Sequence, residues 1–179
     1  MTSSDIIDSM RNSALGNYII PGLTSSFIGG PDKGKVRMFD MEREQFFEIT
    51  PHSHRYDFTC LVLQGLVANT VWTEVYDDGI GGDDLFRLSE LVYNGYPGSY
   101  SKNRLRVVPF KATKTQYHKG DWYTMAHDQI HSINFSKGAK VLFFEGPSVS
   151  DSSLFIEPYT VNGTVETLRT EDWMFIERF

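Results

Sequence analysis

The chain has 179 residues, with 17 Lys+Arg against 23 Asp+Glu, a formal net charge of −6, 40% apolar and 22% charged residues. That composition fits one folded domain and is too apolar for a disordered chain. The acidic balance argues against a dedicated nucleic-acid binder, and no stretch nears the roughly 18 apolar residues of a membrane span. The aromatic share is the unusual number: 14%, from 13 Phe, 9 Tyr and 3 Trp. Aromatic side chains suit pleated, half-buried surfaces, so the sequence leans toward a β-rich fold.

Residues 4–15 carry Ile6, Ile7, Met10 and Leu15 near helical spacing, after a Thr2-Ser3-Ser4-Asp5 cap region and before Gly16. They predict a short amphipathic N-terminal helix, residues 1–16 forming an arm. The N-terminus lacks the basic and apolar regions of a signal peptide, and the single cysteine, Cys60, has no intrachain partner. Both features lead us to expect a reducing, cytoplasmic setting.

From there the pattern is strand-like. Val36–Phe39 and Gln45–Ile49 read as strands, and Phe58–Leu63 gives the strongest strand signal. Gln64-Gly65 closes it, and the pattern resumes from Leu66 to Val75. Asp77 to Asp84 is an acidic, Gly-rich loop, Leu85 to Tyr93 is read as a short helix, and 77–103 as a loop-rich insertion. Leu105–Val108, Thr113–His118, Trp122–Met125, Ile130–Phe135 and Val141–Glu145 follow as strands, with two more expected between Leu154 and Phe179. Short strands broken by Gly and Pro point to a sandwich or barrel. A second domain is not expected.

The five histidines fall in two groups: His52 and His54, then His118, His127 and His131. Residues two apart on a strand share a face, so His52 and His54 can aim two imidazoles at one point. The same pair also reads as two exposed loop histidines after Pro51.

The wider context resembles the cupin superfamily. Its first motif is a His-x-His pair, a strand and a closing glycine, matched by His52, His54 and Gly65. Its second is a glycine, often Gly-Asp, then a histidine with an asparagine soon after, approximated by Gly120, Asp121, His131 and Asn134. The resemblance covers about residues 45–147. It implies an all-β fold: a single-domain cupin (jelly-roll) antiparallel β-barrel, with His52, His54 and His131 converging on a metal. The glutamate usual after the second histidine is missing; Phe58 and Thr59 stand at those positions, and Asp57 falls one residue short on the opposite face.

A glutamate-free set of three histidines is similar to the thiol dioxygenase branch, which also has a Leu-Gln-Gly closure like Leu63-Gln64-Gly65 and a cysteine near the metal. The resemblance implies Fe(II), with Zn, Ni or Mn also suited to imidazole ligands. It implies a mononuclear dioxygenase acting on a small polar substrate such as a thiol. A non-catalytic cupin that sequesters a small anionic metabolite, or a metal-independent isomerase or epimerase, fits the same residues.

Further candidates follow from alternation and charge. Phe58 and Cys60 share the His54 face as walls or substrate contacts, and Glu145, alternating with Val141 and Phe143, is a candidate partner for a cavity histidine or a substrate amine, or else a rim glutamate in water. His127 is a rim candidate for proton transfer. Tyr117 and Tyr123 flank the second motif as groups to orient substrate, or as packing. Arg104 and Arg106 share a strand face and offer a carboxylate clamp, or else the charges that protect an edge strand. The N-terminal arm and the aromatic tail with Trp173, Phe175 and Phe179 lead us to expect a homodimer.

Overall fold

The computed structural model describes residues 16, 18–28, 35–46, 49–75, 85–95 and 100–159. Among these residues ten strands are found: β1 Leu23–Phe27, β2 Lys35–Met41, β3 Tyr56–Gln64, β4 Leu66–Glu74, β5 Leu85–Tyr93, β6 Tyr100–His118, β7 Trp122–Met125, β8 Ile130–Phe135, β9 Lys140–Ser148 and β10 Ser152–Pro158. They form two five-stranded sheets in the orders β1-β2-β9-β3-β7 and β10-β5-β6-β4-β8, antiparallel throughout. The chain crosses between the sheets from β3 to β4 and at every step from β6 to β10, which gives the jelly-roll form implied by the sequence resemblance. Among the described residues no helix is long and apolar enough to cross a membrane.

Strand β3 shows how sequence sets this arrangement. Tyr56, Phe58, Cys60 and Val62 alternate with Asp57, Thr59, Leu61 and Leu63, and the first set is buried. A period of two puts them all on one face, which must pack inward. They join Met41, Val67, Met125, Val141 and Phe143 in the main core. A smaller core forms around Phe86, Leu88, Phe110, Ile130 and Ile156. Between β3 and β4 the chain turns at Gly65, with φ of 75°. A Cβ there would lie 2.8 Å from the Ala139 Cα, so the sharp change of sheet requires glycine for both conformation and space.

Two expectations are corrected. Leu85–Tyr93 is strand β5, not a helix: Phe86 and Leu88 alternate inward, and β6 and β10 hydrogen-bond it on both sides. Within the span 77–103 the described residues include β5 and the start of β6. Among the described residues around Gln45 there is no strand. Instead the Gln45 side chain accepts from the Phe135 amide at 2.8 Å and donates to the Ile133 carbonyl at 3.1 Å, pairing with β8 as a neighbouring strand would. Strand β1 went unread, and Leu105–Val108 and Thr113–His118 are parts of one 19-residue strand, β6. The N-terminal helix, the acidic loop Asp77–Asp84 and the aromatic tail lie outside the described residues.

Candidate metal centre

His52 and His54 lie just before β3, and His131 lies on β8. Backbone bonds tie the two segments together: His52 and His131 exchange N–H···O bonds of 2.9 Å each, and the His54 amide donates to the His127 carbonyl at 3.0 Å. One ring nitrogen from each of the three histidines lies within 4.8 Å of the others. The Nε2 atoms of His54 and His131 are 3.0 Å apart.

The remaining ring nitrogens fix two of the tautomers. His131 donates from Nδ1 to Asn69 Oδ1 at 2.7 Å, and His52 from Nδ1 to the Thr50 carbonyl at 2.7 Å. Each Nδ1 thus carries the proton, and each Nε2 presents a lone pair to the cluster. Burial keeps the rings neutral. It pushes His52 down to about 4 and holds His54 and His131 well below the usual imidazole range, and proximity to the neighbouring histidines lowers those two further.

This donor set fits a divalent transition metal. The imidazoles are neutral, two are held in orientation by second partners, and a metal–nitrogen bond of about 2.1 Å gives ligand atoms about 3.0 Å apart at right angles. Three protein ligands would leave further coordination positions for substrate.

The three rings line a cavity of about 50 Å³ whose other walls include Tyr18, Arg37, Phe39, Tyr56, Phe58, Cys60, Tyr123 and Phe143. Phe58 stands where a carboxylate was missed in the sequence. Its ring lies edge-on to His54 at 4.7 Å and packs on Phe143 at 4.7 Å. Cys60 is buried beside Tyr123; burial pushes its thiol up to about 12. The Tyr123 hydroxyl is buried against the Cys60 thiol.

Arg37 was not singled out in the sequence. Its guanidinium stacks over Phe27 at 4.0 Å and reaches Tyr18 at 5.6 Å. Its Nε lies 3.8 Å from Glu145, which also takes a 2.8 Å bond from Lys35. The Glu145 side chain is only 6% exposed, so the expected substrate-contacting carboxylate is already engaged by two cations. No sequence pattern pointed to Arg37, because it sits between Val36 and Met38 like any strand cation. Asn69 did leave a signal: a polar side chain of low strand propensity inside an apolar strand.

Four other candidates are not brought to the cavity. His127 is a surface residue; its ring donates to Asp57 at 3.1 Å. Tyr117 lies behind the wall, stacked on Tyr123 at 4.4 Å. Arg104 and Arg106 are exposed on β6 in the other sheet, with Arg106 bound to Glu74 at 2.6 Å, because among the described residues that part of β6 pairs with β5 alone.

No family model matches the sequence, and no curated protein matches it. Solved structures of similar shape include the cupin domain of Drosophila melanogaster CENP-C, at 12% identity over 77% of this chain and 79% of that one, with a TM-score of 0.41. A hydroquinone 1,2-dioxygenase from Sphingomonas sp. TTNP3 with 4-hydroxybenzoate bound matches at 12% identity, covering 68% and 65%, with a TM-score of 0.40. An oxalate decarboxylase from Bacillus subtilis matches at 12% identity, covering 79% and 29%, with a TM-score of 0.46.

Proposed function

We propose that the protein is a metal-dependent oxygenase in which His52, His54 and His131 hold a single Fe(II) and a small anionic substrate binds beside it. The carrying observation is the charge of the site: three buried neutral imidazoles with the apolar Phe58 against them. Such a ligand set leaves the full charge of a divalent cation uncompensated in a low-dielectric cavity, which favours an anionic ligand such as a thiolate or carboxylate. When bound, the ion would supply redox chemistry and adjacent positions for substrate and dioxygen.

The protein groups supply the rest. Asn69 and Thr50 fix the imidazole tautomers, while Phe58, Tyr56 and Phe143 exclude water. Arg37 carries a permanent positive charge on the cavity wall, and its forked donors suit a substrate carboxylate. A cavity of about 50 Å³ favours a ligand of few heavy atoms, since the dry engineered cavity that admits benzene is about 150 Å³.

The 3.0 Å separation of the His54 and His131 Nε2 atoms also supports a second reading. With Nε2 of His131 an acceptor, His54 can donate to it directly, leaving a metal-free polar pocket that binds a metabolite without turnover or serves a metal-independent isomerase.

Metal analysis of untagged protein after anaerobic reconstitution separates the two. About one equivalent of Fe(II), with oxygen uptake on adding small thiols or carboxylates, is the expected result. Less than about 0.1 equivalent of Fe, Zn, Ni or Mn overturns the metal reading. Full loading without oxygen uptake across such a panel overturns the oxygenase reading.

A further inference from the structure

The three histidines come from two chain segments, so their separation depends on what holds residues 52–57 against residues 126–131. One end is secured by the His52–His131 backbone pair. The other end is a turn, closed by the Gln129 amide on the Ala126 carbonyl at 3.1 Å and by the Ala126 amide on Gln129 Oε1 at 2.9 Å. The carbonyl of His127 in this turn accepts the amide of His54.

Asp57 completes the connection. Its Oδ1 accepts the His127 amide at 2.7 Å and the His127 ring at 3.1 Å. Its backbone is fixed independently. The β3–β9 ladder shifts register between Tyr56 and Phe58, and a Cβ on Gly146 would lie 2.7 Å from the Asp57 carbonyl oxygen. Only glycine lets β9 approach Asp57 this closely. Asp57 alternates with the inward residues Tyr56 and Phe58, so its carboxylate faces away from the histidines and cannot replace the missing ligand.

We propose that Asp57 is a positioning residue for the metal centre: by clamping the 126–129 turn through His127, it sets the placement of His54 relative to His131. This rests on the metal reading above, and gives Asp57 and His127 one joint role outside the cavity. On the other side of His54, Ser53 is bonded to Leu154, and the Arg55 carbonyl accepts the amides of Val149 and Ser150. Releasing the clamp therefore frees the 126–129 turn, with the His127 carbonyl that takes the His54 amide, while the barrel stays folded. Groups that orient metal ligands typically change affinity by about 10- to 100-fold when removed.

The test is Co(II) titration of metal-free wild type, Asp57→Ala and Asp57→Asn, followed by the visible spectrum of the bound ion, with amide exchange of His54 measured without metal. Asp57→Ala should bind Co(II) about 10- to 100-fold more weakly, with an altered spectrum and faster His54 exchange, at a nearly unchanged thermal midpoint. Asp57→Asn keeps an oxygen that accepts both bonds and should stay within about 3-fold of wild type. Wild-type affinity and His54 exchange in Asp57→Ala overturn the proposal, as does an equal loss in both variants, which would signal a charge effect at a distance. If Asp57→Ala does not fold, His127→Ala replaces it: removal of one of the two bonds should weaken Co(II) binding about 3- to 10-fold, and no change overturns the clamp. If wild type takes up no Co(II), the metal reading fails, and His54 exchange in the metal-free variants still decides the clamp.

Discussion

The ring of His131 donates from Nδ1 to Oδ1 of Asn69 at 2.7 Å, and this bond turns the His131 Nε2 lone pair toward His54 and His52. Asn69 is itself buried on β4 and held from its amide side, where Nδ2 lies 3.3 Å from the Met125 sulfur. Asn69→Leu removes the acceptor and leaves a buried N–H without a partner, a cost of about 1–3 kcal/mol. Calorimetric unfolding of the metal-free variant should show that loss. Zn(II) titration should show affinity about 10- to 100-fold weaker, because both tautomers of His131 become accessible.

Phe58 gives a prediction of opposite sign with and without metal. It is buried against His54 at the position where a carboxylate was missed in the sequence. In Phe58→Glu an ionised carboxylate enters a cavity lined by neutral imidazoles, so the metal-free protein should lose roughly 2–4 kcal/mol of stability. A divalent ion supplies the missing opposite charge. Thermal melts with and without stoichiometric Zn(II) should therefore differ more for the variant than for wild type. An equal metal-induced shift in both proteins would place the ion away from Phe58.

Legibility in the sequence followed the range of the forces involved. The inward set of β3 was readable because alternation is local, and the pairing of His52 with His54 needed only two adjacent turns of the pleat. Strand β5 was misread because Leu85, Leu88 and Val92 also satisfy helical spacing; only the ladders from β6 and β10 decide in favour of a strand. Arg37 and Asn69 reach the site through pairing of distant strands. Arg37 stands opposite Phe143, and Asn69 opposite Ile133, registers that no local pattern encodes. Arg104 and Arg106 drew attention by charge density, which reports an exposed strand as readily as a ligand clamp.

Arg37 has a structural role that substitution must be read against. Its removal leaves Glu145, 6% exposed, with Lys35 alone. The Arg37–Glu145 contact is long at 3.8 Å and Lys35 remains, so Arg37→Ala should cost about 1–3 kcal/mol, below the range for breaking a fully buried pair. Arg37→Lys should recover most of that stability. If Arg37 also clamps a carboxylate, the lysine variant keeps the fold yet binds the anionic ligand at least about 10-fold more weakly, since a point charge cannot reproduce the forked bonds. Equal ligand affinity in wild type and Arg37→Lys would remove Arg37 from substrate recognition.

Cys60 gives the pH prediction. Its thiol is buried on β3 and is pushed up to about 12 by burial, against about 9 for the exposed group. The neutral form is therefore favoured in the folded state. Below about pH 9 both folded and unfolded chains keep the thiol proton, and the contribution to stability is constant. As pH rises from about 9 toward 12 the unfolded chain releases the proton first, so it binds fewer protons than the folded one and stability falls. In the native protein, alkylation by iodoacetamide between pH 7 and 9 should run at least about 100-fold slower than in denaturant, because the thiolate is both scarce and inaccessible. The rate should track unfolding when urea is raised. Rapid labelling of the native protein at pH 8 would mean that Cys60 is ionised in the folded state, and that its wall of the cavity is open to solvent.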